Sequence, residues 1–363
     1  MKVAITHDIL VEYGGAERVL QSLLHIYPEA HIYTAYLEES VLDKFSPPLL
    51  RKNIHVIPTK RFGLEPISYL FQPLSPLFWK SLQLEAYDIV ISNSAFFLCN
   101  TINVWHPLHI QYVLCPPKNI FDLVSKTPMQ KIINYAPFLA RHYVGALRRY
   151  PYVIADSKHI QSLLRRISGV SATVIYPPVQ VPRSYHRSKH RDYYLIVSRI
   201  DEQKDIEIAI EACSRLRVPL KIVGSASDGN YIPKLRKIAG PTIEFLGFLE
   251  DTKIYHLYER AIAFLFTPKS EDFGIAPVEA MAHGVPVIAY HGGGVKETVA
   301  DGITGKFYYT HSTEALMRVI RQFDSMRYSP SVLHAAAQTY SVSSFENHLR
   351  QYVQKNYEIF SNR

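Results

Sequence analysis

The segment from Ala261 to Gly284 narrows the fold of this chain more than any other stretch. An apolar run, Ala261 to Thr267, ends at Pro268; a polar loop follows, and an apolar helix opens after Gly274. In open α/β sheets, the carboxyl end of a strand facing a helix N-terminus is where phosphorylated ligands bind, because unpaired N–H groups and the helix dipole favour negative charge. Two glutamates stand in this segment. Glu271 lies in the loop, and Glu279 is about five residues into the helix, roughly 7 to 8 Å along its axis. Carboxylates do not bind phosphate, but they accept hydrogen bonds from the hydroxyls of a sugar or ribose that phosphate carries. Ile275, Val278, Ala280, Met281 and Ala282 give Glu279 apolar neighbours, unlike a plainly solvated helix face.

Two further segments share this design. Tyr193 to Val197 is an apolar strand that runs into Ser198-Arg199-Ile200-Asp201-Glu202-Gln203-Lys204, a loop with two cations ahead of a helix over Ile206 to Leu216. At the amino terminus the strand Val3 to Thr6 leads through His7 and Asp8 to Gly14-Gly15 and a helix. This is not the Gly-x-Gly-x-x-Gly dinucleotide fingerprint, which disfavours a nicotinamide enzyme. Downstream of Glu279, Gly284-Val285-Pro286-Val287-Ile288-Ala289 reads as a helix stop and a buried strand. Gly292-Gly293-Gly294 then reads as a place for close backbone approach to a ligand.

Together these segments resemble retaining glycosyltransferases of the GT-B fold, specifically glycosyltransferase family 4, whose Glu-x7-Glu motif matches Glu271 and Glu279. The resemblance implies an α/β protein with two Rossmann-like, doubly wound domains facing each other across a cleft. It implies that Arg199 and Lys204 neutralise the donor diphosphate, that Glu271 orients donor sugar hydroxyls and that Glu279 holds the nucleotide ribose. The backbone of Phe273, Gly274 and Ile275 would bind the sugar-phosphate end, with the Gly15 loop passing close to the donor. Neither metal nor cofactor is implied, and the sequence has no Asp-x-Asp pair to hold a cation. On the acceptor side the candidates are His7, Asp8, His109 and Lys118; His7 and Asp8 read equally well as loop polars, and His109 as structural.

A chain of 363 residues with 47% hydrophobic and 20% charged residues is expected to form two globular domains. The strand–helix rhythm breaks at the proline-rich stretch around Ile175 to Pro182 and restarts at Tyr194. It predicts an acceptor domain over 1–180, a basic linker over 181–192 carrying Arg183, Arg187, Lys189 and Arg191, and a donor domain over 193–341. A tail over 342–363 reads as a helix returning to the first domain.

Three cysteines without ligand spacing imply a reduced compartment and no disulfide framework. With Met1 leading directly into a strand and no long apolar run, the expectation is a cytoplasmic protein, soluble or peripheral at the inner membrane face. A net charge of +8 calls for an anionic partner. No nucleic-acid-binding motif is present, so nucleic acid is excluded. Tyr69 to Leu84 and Phe138 to Tyr152 read either as surfaces for an anionic membrane or as packed helices with a basic edge.

Two departures from the family lie in the first half. Relatives carry a histidine where this chain has Leu114, and a Lys-Gly pair where it has Cys99-Asn100. Leucine can neither accept a proton nor hydrogen bond. The expected function is transfer of a hexosyl group, with mannose from GDP-mannose favoured, from a nucleotide-diphospho-sugar to a lipid-linked or oligosaccharide acceptor in surface polysaccharide assembly. The alternative is a catalytically degenerate, nucleotide-sugar-binding scaffold subunit.

Overall fold

The computed structural model describes residues 1–57, 74–96, 98–118, 120–121, 137–226 and 229–362, and its contacts divide the chain into two units. Residues 1–178 with 343–363 form the first unit, and 179–342 form the second.

The first unit is built on strands β1 (Val3–His7), β2 (His31–Thr34), β3 (Ile54–Val56), β4 (Ile89–Ser94), β5 (Leu108–Val113), β6 (Tyr152–Ala155) and β7 (Thr173–Val174). They form a parallel sheet in the order β3-β2-β1-β4-β5-β6-β7. Parallel sheets are covered on both faces, so their strands read as nearly continuous apolar runs; β1, β4 and β5 are buried at every position. Alternate residues serve opposite faces. Ile5 and Ile91 join a core with Val19, Leu20 and Leu23 of the helix Gly15–Ile26. Ala4 and Val90 face Trp79 and Leu84 on the other side. The helix Val342–Ser361 adds Phe345, Leu349 and Val353 to the first of these cores.

The second unit holds β8 (Tyr193–Val197), β9 (Leu220–Val223), β10 (Ile243–Gly247), β11 (Ala261–Phe266), β12 (Val287–Tyr290) and β13 (Gly305–Tyr308) in the parallel order β10-β9-β8-β11-β12-β13. Tyr194 and Ile196 pack on Ile206, Ala209, Ile210 and Cys213 of the helix Ile206–Leu216, and Leu316 and Ile320 of the helix Thr313–Gln322 share that core. The latter helix starts where the Ser312 hydroxyl accepts from the Ala315 N–H at 3.3 Å.

Both sheets turn back on themselves at one strand. β1 lies between β2 and β4, and β8 between β9 and β11, so successive connections leave in opposite directions and open a crevice outside the carboxyl ends of those strands.

Two strands lack a counterpart in the sequence reading. β7 is only Thr173–Val174, and β13 begins at Gly305; a Cβ there would lie 2.1 Å from the Val287 carbonyl, so glycine lets β13 pair with β12. The basic segment before β8 is tied to the second unit. Arg187 donates to the carbonyls of Tyr258, Glu259 and Ala261, and Arg191 to that of Ser325. Burial pushes the Arg187 guanidinium down to about 10. Among the described residues no helix is long and apolar enough to cross a membrane.

Candidate active site

In the second unit, sheet order brings two loops together that are far apart in sequence. β8 pairs with β11, so the loop after Val197 meets the loop after Phe266. The Thr267 hydroxyl donates to the Lys204 carbonyl at 2.8 Å, and the Lys269 N–H donates to the Asp205 carboxylate at 3.0 Å. His311 Nε2 lies 3.0 Å from the Thr267 carbonyl and 3.4 Å from Asp205 Oδ2; both are acceptors, so that nitrogen carries the proton. Asp205 itself sits at φ 49°, in the left-handed region, between the short 3₁₀ turn Glu202–Lys204 and the helix Ile206–Leu216.

On this frame Lys204 Nζ donates to Glu271 Oε2 at 2.7 Å. The two side chains are 16% and 23% exposed, so the pair is shielded yet reachable from solvent. An ammonium has three donors and a carboxylate two oxygens, so each group keeps capacity for a ligand while engaged with the other. Arg199 differs. Its side chain is 62% exposed, with Nε 4.0 Å from Asp201 Oδ2.

Glu271 is held from behind by the glycine triplet. The Gly294 N–H donates to the Glu271 carbonyl at 2.7 Å. A Cβ on Gly293, at φ +62°, would lie 2.3 Å from that carbonyl oxygen, and one on Gly294 would lie 2.2 Å from the Asp272 carbonyl oxygen. The sequence reading has the glycines approach a ligand. In the structure they approach the backbone of the loop that carries Glu271, so their contribution is to position it.

Gly274, at φ +91°, precedes the helix Ile275–Ala282, a backbone angle that favours glycine. Phe273 is buried at 2% exposure, with its ring against that of Tyr340. Glu279 is half-buried on the fifth position of that helix, and Ile275 is half-buried at its first. The helix ends at Gly284, where His283 is stacked on Tyr255 and Tyr258, at 4.6 and 4.9 Å. Burial pushes the His283 imidazole down to about 4, with His334 adding to the effect, so it is neutral at pH 7.

In the first unit the carboxyl end of β1 carries His7 and Asp8, but both face inward, at 2% and 5% exposure. The Asp8 carboxylate accepts the backbone N–H groups of Ala95, Phe96 and Cys99 at 2.8, 2.6 and 2.9 Å. His7 Nδ1 faces Asn93 Nδ2 at 3.1 Å, and the same amide nitrogen donates to the Ala16 carbonyl. That orientation makes Nδ1 an acceptor, so Nε2–H donates to Glu17 Oε1 at 3.2 Å. Glu17 closes the arrangement by accepting the Gly14 N–H at 2.9 Å, one residue before Gly15 opens its helix. His7 and Asp8, expected either as acceptor-side residues or as loop polars, form a clamp that fixes the loops after β1 and β4.

His109 takes the structural place that the sequence also allowed for it. It lies inside β5 at 2% exposure, with Nε2 2.7 Å from the Ser92 hydroxyl, and burial pushes it down to about 3. Lys118 is half-buried in the loop after β5 and remains the acceptor-side candidate with access to solvent. The departures have structural grounds. Leu114 packs on the first unit's core, and fully buried Cys99 points its thiol at the Asn93 and Thr6 carbonyls, a space that would not take a lysine. A pocket of about 620 Å³ also exists, lined by residues before and at the start of β1 and β2; it lies at the opposite end of those strands and contains none of the candidate residues.

Sequence reasoning missed Glu17, Asp205, Thr267 and His311. Only Glu17 has a local signal, since its position three residues after Gly14 is that of a capping glutamate.

Comparison with known proteins follows the same division. Residues 181–339 match the family described as "Glycosyl transferases group 1". The alpha-1,3/1,6-mannosyltransferase ALG2 of Kluyveromyces lactis is 24% identical over 83% of this chain and 71% of its own length. Its human counterpart is 27% identical over 53% of this chain and 54% of its own length. The structure of Anabaena HepE in complex with UDP-glucose superposes with a TM-score of 0.71 at 19% identity, covering 98% of this chain and 100% of that one. The fold and its two parallel sheets are those of GT-B glycosyltransferases. The chain is a glycosyltransferase, similar over residues 181–339 to group 1.

Proposed function

We propose that this enzyme moves a hexosyl group, mannose from GDP-mannose, onto a lipid-linked or oligosaccharide acceptor with retention of configuration. In this reading it works in surface polysaccharide assembly at the cytoplasmic face of an anionic membrane. The observation that carries the reading is the Lys204–Glu271 pair, at 2.7 Å beside the helix that Gly274 opens. The mannosyl preference is supported by the likeness to the ALG2 enzymes.

In this reading Lys204 and the exposed Arg199 meet the donor diphosphate, and N–H groups at Gly274 and Ile275 meet the sugar-phosphate end. Glu271 accepts from donor sugar hydroxyls through the oxygen that Lys204 does not hold, and Glu279 accepts from the ribose. As the bond from the anomeric carbon to the phosphate oxygen breaks, the acceptor oxygen bonds to that carbon on the same face. The leaving phosphate takes the acceptor proton. No protein base is required, which accommodates Leu114 and the buried His109. Fixed cations meeting the developing phosphate charge are worth about 2.7 to 4 kcal/mol each in a water-poor site.

Leu114 in the core also favours a second reading, a donor-binding scaffold subunit without transfer activity. Incubating the purified protein with GDP-mannose and a membrane extract separates the two. Labelled lipid or oligosaccharide product supports the enzyme, whereas GDP-mannose binding with no product from any acceptor supports the scaffold.

A further inference from the structure

We propose that the first unit docks on an anionic bilayer through one face, made by the helix Pro137–Arg149, the helix Ser75–Lys80 and the loop at Trp105. The inference deepens the reading of a lipid-linked acceptor and rests on it for its purpose. Its measurement does not depend on catalysis.

The helix Pro137–Arg149 is divided lengthwise. Leu139, Tyr143, Ala146 and Leu147 are buried in the core, at the spacing of one helix face. The opposite stripe is exposed along its whole length: Phe138, Arg141, His142, Gly145, Arg148 and Arg149. That stripe combines an aromatic ring, 48% exposed, with three arginines.

Hydrogen bonds extend the stripe on both sides. Lys80 Nζ lies 3.2 Å from His142 Nδ1, which brings in the short helix with Leu77, itself 66% exposed. Arg149 donates to the Asn103 side chain, and the Tyr150 hydroxyl donates to the Val104 carbonyl at 3.1 Å, which brings in Trp105. Trp105 is 80% exposed, the highest value among the exposed large hydrophobic side chains of the described residues. The segments 74–81, 102–107 and 137–150 contain no Asp or Glu, so the cations on this face have no acidic residue among them in sequence.

Exposed large apolar side chains interspersed with cations, in segments that carry no Asp or Glu, match an anionic headgroup layer over an acyl boundary. Tryptophan settles at that boundary, and arginine and lysine can meet phosphate while their stems lie along apolar surface. A second copy of the chain would place this face against an identical one, cation against cation, which charge complementarity opposes. Of the two stretches expected to meet a membrane, Phe138 to Tyr152 supplies the stripe. The other contributes Leu77 and Lys80, and its residues 69–73 lie outside the described ones.

The chain has two tryptophans, and Trp79 is fully buried, so a change in emission on binding reports Trp105. The experiment titrates the full-length protein with phosphatidylcholine vesicles and with vesicles that also contain phosphatidylglycerol, following emission and co-sedimentation. A blue shift and sedimentation are expected with the anionic vesicles only, declining with salt. Lys80→Glu with Arg141→Glu should lower anionic binding by tenfold or more, since each cation near such a surface contributes about fivefold to partitioning. Trp105→Ser should abolish the blue shift, with an unchanged melting temperature showing that the fold is intact.

Wild type that ignores anionic vesicles would overturn the proposal. So would binding that the charge reversals leave unchanged, or concentration-dependent shielding of Trp105 without lipid, which would make the face a contact between copies. Transfer to a water-soluble acceptor, assayed on the same variants, separates the claims. Vesicle binding without transfer by wild type defeats the proposed reaction and leaves the docking face standing, and transfer without vesicle binding does the reverse.

Discussion

Lys204 and Glu271 form an ion pair at 2.7 Å although 67 positions separate them in the chain. The cation proposed for phosphate and the carboxylate proposed for sugar hydroxyls are thus one unit, and substituting either changes the field at the other. Lys204→Ala and Glu271→Ala should each reduce transfer by tenfold or more, and the double variant should lose much less than the product of the two effects. A double-mutant cycle on kcat/KM should give a coupling of about 1 kcal/mol or more, the range for residues in direct contact. Independent, multiplicative losses would show that the two act separately.

The glycine triplet gives a prediction about a residue that touches no ligand in this reading. Gly293→Ala puts a methyl 2.3 Å from the Glu271 carbonyl oxygen and imposes a positive φ on alanine. The variant should be less stable by about 1 to 3 kcal/mol and should lose transfer through displacement of Glu271. Gly302 has the same kind of backbone angle, φ +77°, with open space where a Cβ would go, and serves as the control. Gly302→Ala should cost stability but little transfer. Equal loss of transfer in both would disprove a positioning role for the triplet.

Asp8 should behave as a structural residue. Asp8→Ala removes a carboxylate that three backbone N–H groups share, and it releases the turn in which Leu98 holds a left-handed φ of 62°. Hydrogen bonds to a charged group are worth about 1.5 to 3 kcal/mol, so urea denaturation should show a loss of at least that size. GDP affinity, measured by titration calorimetry, should be unchanged. A raised acceptor KM with normal stability would return Asp8 to the acceptor side.

Two buried histidines set the acid limb of stability. Burial lowers His109 to about 3 and His283 to about 4, against 6.5 when unperturbed. Below about 6.5 the unfolded chain therefore binds protons that the native state refuses, and stability falls as pH drops through the window from 6.5 towards 4. Each group contributes up to roughly 2 kcal/mol to the difference between about pH 6.5 and about pH 5. His283→Phe keeps a ring between Tyr255 and Tyr258 and cannot protonate, so its urea stability should change less over that window than that of wild type. An identical slope would show that His283 does not stay neutral.

Local rhythm carries some of this fold and not the rest. Tyr152–Ala155, Ile206–Leu216 and Leu220–Val223 are legible to the residue because each is an apolar run bounded by polar or turn residues. β7 is too short to show a period, and β13 starts at a glycine. The Lys204–Glu271 contact is not legible from spacing, since it depends on β8 lying beside β11 while β9 and β10 intervene in sequence. Asp205 and His311 are hidden for the same reason. His7 and Asp8 mislead differently. A polar residue at a strand end has the same letter whether it faces solvent or backbone N–H groups, and the groups that capture Asp8 carry no side-chain signature.

The most direct measurement compares wild type with Glu271→Ala, recording transfer from GDP-mannose to a membrane extract and GDP affinity on the same preparations. If Glu271 holds sugar hydroxyls in the transition state, transfer falls by at least about tenfold, the loss of one charge-assisted hydrogen bond of roughly 1.5 to 3 kcal/mol. GDP binding is then retained or tightened, because Lys204 is released from its partner. Transfer that Glu271→Ala leaves unchanged, or GDP binding that disappears together with transfer, would contradict the role assigned to the pair.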